Sequence, residues 1–119
     1  VNVVDSSAWL EYLAGTDRAE LFAVAIEDTG NLIVPAISIY EVYKKVLRER
    51  GEDMAAQVFG LMSLGKIVEL DATLALEAAR LSLPMADSII YATARRHDAM
   101  LWTQDSHFEG TQGVRYFKK

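Results

Sequence analysis

Four acidic residues stand where carboxylates can meet. Asp5 directly follows the apolar run Val1–Val4, and Asp105 follows the run Met100–Thr103 after one intervening residue. Both runs have the length and apolar content of buried strands. An aspartate just past such a strand lies at the carboxyl edge of a sheet, where open α/β folds hold their ligands. Asp87 opens the amphipathic segment Ala86–His97 right after Leu83-Pro84-Met85, and Glu41 falls in the first turn of a segment that begins near Ser38. Helix starts can face that same edge. Crowded carboxylates repel unless one takes a proton or a cation neutralises them. Hard divalent ions such as Mg²⁺ or Mn²⁺ prefer all-oxygen ligands, so clustering of these four residues implies a metal. Taken singly, each has an ordinary structural alternative. Asp5 and Asp105 can cap the turns that follow them, Glu41 can pair with Lys45 at i,i+4, and Asp87 can complement the positive end of its helix. Asp17, Asp53 and Asp71 are read as caps only, since none follows a buried strand into a ligand crevice.

The elements that must position these residues alternate between short apolar runs and longer amphipathic segments, the pattern of an α/β fold with a mainly parallel sheet. Strands are expected at Val1–Val4, Leu32–Val34, Ile67–Leu70 and Met100–Thr103, with a short edge strand at Val114–Phe117. A first helix, capped by Ser6 or Ser7, runs to about Ala14 and stops at Gly15. Asp17 caps a second at roughly Arg18–Glu27. Ser38 caps a third to about Arg50, with Ile39, Val42, Tyr43, Val46 and Leu47 as its apolar stripe and Glu41, Lys45 and Arg48 opposite. Further helices are expected over Asp53–Leu64, from Asp71 to Leu83 before Pro84 breaks it, and over Ala86–His97.

Composition bounds the function. At 119 residues the chain has the size of one compact domain, and 51% hydrophobic against 24% charged residues excludes the signature of disorder. The absence of cysteine excludes disulfides, thiolate metal sites and cysteine nucleophiles, and fits a reducing cytoplasm. No apolar run approaches a membrane span and no signal segment opens the chain, so a cytoplasmic location is expected. A net charge of −5 argues against a nucleic-acid partner, but the charge is unevenly spread. Residues 1–70 carry 11 acidic and 6 basic side chains, and residues 71–119 carry 6 of each, including Arg95, Arg96, Arg115, Lys118 and Lys119. With four carboxylates committed to cations, 13 acidic residues face 12 basic ones.

Other chemistries fit poorly. Gly60-Leu61-Met62-Ser63-Leu64-Gly65-Lys66 has the glycine and lysine spacing of a P-loop, but Ile67 replaces the hydroxyl residue and the segment runs from helix to strand, the reverse of the phosphate-binding order. His97 and His107 have no zinc spacing and are read as surface or loop residues, although His107 sits close enough to Asp105 to contact a substrate. The aspartate after the first strand lacks the Asp-x-Asp of dehalogenase-like phosphotransfer enzymes, and no adjacent acidic pair follows a strand as in receiver domains.

The four acidic contexts together resemble the PIN-domain family. Val3-Val4-Asp5-Ser6-Ser7 is similar to the family's opening segment, and Ile37-Ser38-Ile39-Tyr40-Glu41-Val42 to its glutamate-bearing helix. Leu83-Pro84-Met85-Ala86-Asp87-Ser88-Ile89-Ile90-Tyr91-Ala92-Thr93-Ala94 resembles its most recognisable stretch, and Thr103-Gln104-Asp105-Ser106-His107-Phe108 its closing Thr-x-Asp-x-x-Phe. The resemblance spans the chain in order. It implies a single PIN-like nuclease domain over residues 1–119, a three-layer α/β/α sandwich around a mainly parallel sheet of four to five strands. It further implies an endoribonuclease dependent on Mg²⁺ or Mn²⁺, with Asp5, Asp87 and Asp105 on the metal, Glu41 positioning the ion or a water, and products with a 5′-phosphate and a 3′-hydroxyl. Ser6 and Thr103 would orient the carboxylates, and Arg95, Arg96 and Arg115 would touch the RNA backbone. A VapBC-type toxin is the favoured member, with a VapB-like antitoxin in an apolar groove lined by Trp9, Leu10 and Leu13, and with homodimerisation. Alternatives within the family are an RNase of RNA maturation and a non-catalytic module that binds RNA or protein.

Overall fold

A computed structural model describes residues 1–119. Strands β1 (Asn2–Val4), β2 (Leu32–Pro35), β3 (Lys66–Val68), β4 (Met100–Thr103) and β5 (Val114–Tyr116) form one sheet in the order β3-β2-β1-β4-β5. All four pairings are parallel. Parallel neighbours cannot be joined by tight turns, so helices carry most of the connections: α1 (Ser6–Ala14), α2 (Ala19–Ile26), α3 (Ala36–Arg50), α4 (Glu52–Met62), α5 (Ala72–Ala79) and α6 (Met85–Arg96).

Alternation along the strands sorts the helices into two layers. Val3, Ile33 and Leu101 lie in register and pack against Ile90 and Ala94 of α6. Val4, Leu32 and Val34 point the other way, into a cluster with Ala8 and Trp9 of α1, Phe22 of α2, Val42 of α3 and Met62 of α4. Helix α5 lies outside α6, where Leu74 and Ala78 meet Ile89 and Ala92. The result is the expected three-layer α/β/α sandwich. Burial of each large apolar side chain in these clusters contributes ~1.5–3 kcal/mol.

Strand order reverses between β1 and β4. The chain steps from β1 outward to β2 and β3, then returns to the other side of β1. That reversal opens a crevice at the carboxyl ends of β1 and β4, beside Asp5 and Asp105.

Several helix starts differ from the sequence expectation. Asp5, not Ser6 or Ser7, caps α1, accepting the Ala8 N–H, and Gly15 closes the helix at φ 66°. Asp17 is exposed and caps nothing; α2 begins at Ala19 without a side-chain cap. Helix α3 starts at Ala36 straight from Pro35, its N-cap residue, whose ring holds φ at −62°. Ser38 is therefore fully buried inside the first turn, and Glu41 sits one turn deeper than expected. Asp53 lies within the first turn of α4, which follows Gly51, whereas Asp71 does cap α5 through the Leu74 N–H. Helix α5 ends at Ala79, short of Leu83, and β3 spans Lys66–Val68 rather than Ile67–Leu70. No helix is long and apolar enough to cross a membrane.

Candidate metal centre

Asp5 is fixed by three elements at once. Its N–H donates to the Trp102 carbonyl at 3.1 Å, extending the β1–β4 ladder by one rung. Its side chain is 3% exposed. One carboxylate oxygen accepts the Ala8 N–H at 2.9 Å and the Ser7 hydroxyl at 3.2 Å, and the other accepts the Thr103 hydroxyl. Burial pushes the Asp5 carboxyl up; these hydrogen bonds oppose the rise and the charge of Asp105 adds to it.

Thr103, fully buried at the end of β4, also accepts the Asp105 N–H at 2.9 Å through the same hydroxyl. Asp105 caps the 3-10 turn Ser106–Phe108 by accepting the His107 N–H at 2.9 Å. Asp87, in the first turn of α6, is pushed up to about 6 by burial first and then by the charges of Asp105 and Asp5, while His107 pulls it down. Glu41 accepts the Ser6 hydroxyl at 2.6 Å. All four carboxylates open into one pocket, whose wall includes Ser6, Ser7, Leu10 and Ile90.

No lysine or arginine forms an ion pair with any of the four. Lys45 pairs with Glu49 rather than Glu41, and Arg96 with Asp71 and Glu77. The one basic side chain in contact is His107, whose Nδ1 lies 2.9 Å from Asp105 Oδ1 and 3.3 Å from Asp87 Oδ2. Asp87 and Asp105 bring ligand atoms within 4.8 Å of each other, and Asp5 and Glu41 line the same pocket, a hard-oxygen environment that suits a divalent cation.

Residues 3–114 match the PIN domain. The chain belongs to the PIN-domain family. Among solved structures, the chain resembles a toxin–antitoxin complex of Klebsiella pneumoniae, with a TM-score of 0.81 at 21% identity over 97% of this chain and 96% of that one. It is similar to a sarcin–ricin-loop-cleaving VapC toxin of Mycobacterium tuberculosis, with a TM-score of 0.74, 17% identity, and coverage of 94% and 95%. The DNA-bound VapBC complex of Salmonella typhimurium gives 0.73 at 16% identity, with coverage of 98% and 96%. These likenesses establish the fold. No curated protein gave a significant sequence match.

The remaining residues of this PIN domain divide sharply. His107 is a loop residue with a half-exposed side chain, yet its ring turns into the centre, so that Asp87, Asp105 and His107 offer ligand atoms within 4.8 Å of one another. Its signal in the sequence was its place two residues after Asp105, inside the turn that Asp105 caps. Arg95, Arg96 and Arg115 do not line the pocket. Arg95 donates to the Ala99 carbonyl at 2.7 Å, Arg96 holds Asp71 at 2.9 Å, and Arg115 lies over Trp102 at 4.9 Å. Beside the acidic pocket, and sharing Leu10 with it, runs an apolar groove formed by Leu10, Leu13, Ala14, Val46, Met54 and Val58. Trp9 takes no part in it and is fully buried in the core.

Proposed function

We propose that this PIN domain is a metal-dependent endoribonuclease, the toxin of a VapBC-type pair. The observation that carries the reading is the convergence of Asp5, Glu41, Asp87 and Asp105 on one pocket with no lysine or arginine paired to them. Asp5, Asp87 and Asp105 would hold the ion, and Glu41, steadied by Ser6, would position the ion or a water. Mg²⁺ or Mn²⁺ bound there supplies charge neutralisation at the phosphate and makes water more acidic. Thr103 keeps Asp5 and Asp105 in mutual register, as outer partners of metal ligands do.

RNA as substrate and a VapB-like antitoxin belong to the same reading, supported by the likeness to toxin–antitoxin complexes and to a toxin that cleaves the sarcin–ricin loop, and a homodimer is proposed with them. The groove through Leu10 and Leu13 suits the apolar face of an antitoxin helix, ending next to the acidic pocket it would block. Arg95, Arg96 and Arg115 can reach RNA only beyond the pocket itself. The test is cleavage of total RNA by purified protein, freed of any partner, with Mg²⁺, with Mn²⁺ and with EDTA. Metal-dependent cutting that disappears in Asp5→Asn and Asp87→Asn supports the nuclease. Failure of folded, metal-supplied wild type to cut any RNA sinks it.

A further inference from the structure

We infer that His107 is a nitrogen ligand of the ion held by Asp87 and Asp105, and that it tilts this centre from Mg²⁺ toward Mn²⁺ and later first-row ions. The inference rests on the metal-dependent reading above and adds to it a residue outside the acidic set.

Three observations carry it. A single atom, His107 Nδ1, approaches carboxylate oxygens from two different elements, 2.9 Å from Asp105 at the end of β4 and 3.3 Å from Asp87 at the start of α6. An imidazole nitrogen at that place can donate a lone pair to a cation, which a lysine or arginine in the same place could not. The ring is also delivered by the backbone rather than by a long flexible side chain. The His107 N–H is bound to Asp105 Oδ1, and the next residue, Phe108, is fully buried and stacked on Tyr91 with ring centroids 6.0 Å apart. That anchoring gives the ring the preorganisation a metal ligand needs. Finally, His107 has no other hydrogen-bonding commitment: its only polar side-chain contacts are these two carboxylates.

The consequence is one of selectivity. Carboxylate and water ligands alone serve Mg²⁺ and Mn²⁺ about equally, whereas an imidazole gains value along the series from Mn²⁺ to Co²⁺ and gives Mg²⁺ almost nothing. The centre should therefore discriminate among divalent ions through one side chain.

Calorimetric titration of the chelated full chain with Mg²⁺, Mn²⁺ and Co²⁺ tests this in wild type, His107→Asn and His107→Ala, alongside pulsed electron paramagnetic resonance of the Mn²⁺ complex. The half-exposed ring can be replaced without opening the core, and circular dichroism checks that both variants fold. Expected are a loss of about tenfold in Mn²⁺ affinity, a larger loss for Co²⁺ and little change for Mg²⁺. A nitrogen coupling to Mn²⁺ should be present in wild type and absent in both variants. Equal losses for all three ions, no losses, or no nitrogen coupling in a wild type that still binds Mn²⁺ overturn the role of His107 and leave the carboxylate centre standing. A wild type that binds none of the three ions overturns both this inference and the metal-dependent function.

Discussion

Thr103 and Asp5, 98 residues apart in sequence, share a buried hydrogen bond in which the threonine hydroxyl donates to the carboxylate. The same oxygen accepts the Asp105 N–H, so one side chain ties two of the proposed metal ligands together. A buried carboxylate that loses such a donor is left to bear its own desolvation.

Thr103→Val should therefore destabilise the protein by about 1–3 kcal/mol and weaken ion binding by about tenfold or more, while Thr103→Ser retains both. Urea denaturation and metal titration measure the two effects. A valine variant as stable as wild type would show that the hydroxyl does not support Asp5.

The raised Asp87 carboxyl predicts a pH dependence. With its folded value pushed up to about 6, Asp87 holds its proton in the native state after the unfolded chain has released it. Stability from this group is full below about pH 4 and is lost as pH rises through about 6. In chelated protein, Asp87→Asn should abolish that loss. The variant should be more stable than wild type above pH 7, by on the order of 1 kcal/mol after discounting for solvent screening, and no more stable below pH 4. Denaturation profiles that run parallel from pH 4 to 8 would contradict the assignment.

A divalent ion should reverse the same penalty. At a hundredfold excess over its dissociation constant, Mg²⁺ or Mn²⁺ should add about 2.7 kcal/mol of stability and raise the melting temperature by roughly 10 °C. Asp5→Asn should forfeit most of this increment. Thermal scans with and without ion decide it, with NaCl at matched ionic strength as the control.

Phe108 anchors the turn that carries Asp105 and His107. Phe108→Ala should cost about 3–5 kcal/mol through the cavity it leaves. Phe108→Leu should cost less, yet still lower ion affinity, because the turn loses its seat against Tyr91. A leucine variant with unchanged ion affinity would separate the anchor from the centre.

What could be read in advance depended on how local the signal was. Asp5 and Asp105 are legible because a buried strand in this fold ends at the ligand edge, and a strand of three or four apolar residues is visible without knowledge of its neighbours. Asp87 is legible for a similar reason, since Pro84 marks the start of α6. Helix caps were harder. Ser38 has a favourable residue type, but Pro35 already starts the helix, and the serine is carried into the core with its hydroxyl unpartnered. Asp5 turned out to be both a cap and a member of the pocket, two readings that the sequence set in opposition. The direction of the His107 ring depends on the burial of Phe108 against α6, a tertiary contact with no local pattern. The three arginines illustrate the same limit: basic residues near the C-terminal end suggest a nucleic-acid face, but packing against Ala99, Asp71 and Trp102 directs them away from the pocket.

The central place of β1 in the sheet has a consequence for synthesis. Asp5 emerges with β1, yet β4, which must dock beside β1 to bring Asp105 and Thr103 to it, follows nearly a hundred residues later. Contacts of such long sequence separation form late in folding. A nascent chain that has emerged only through α5 presents Asp5 and Glu41 but not yet Asp87, Thr103 and Asp105. The four-carboxylate pocket therefore cannot assemble until β4 has emerged and docked beside β1.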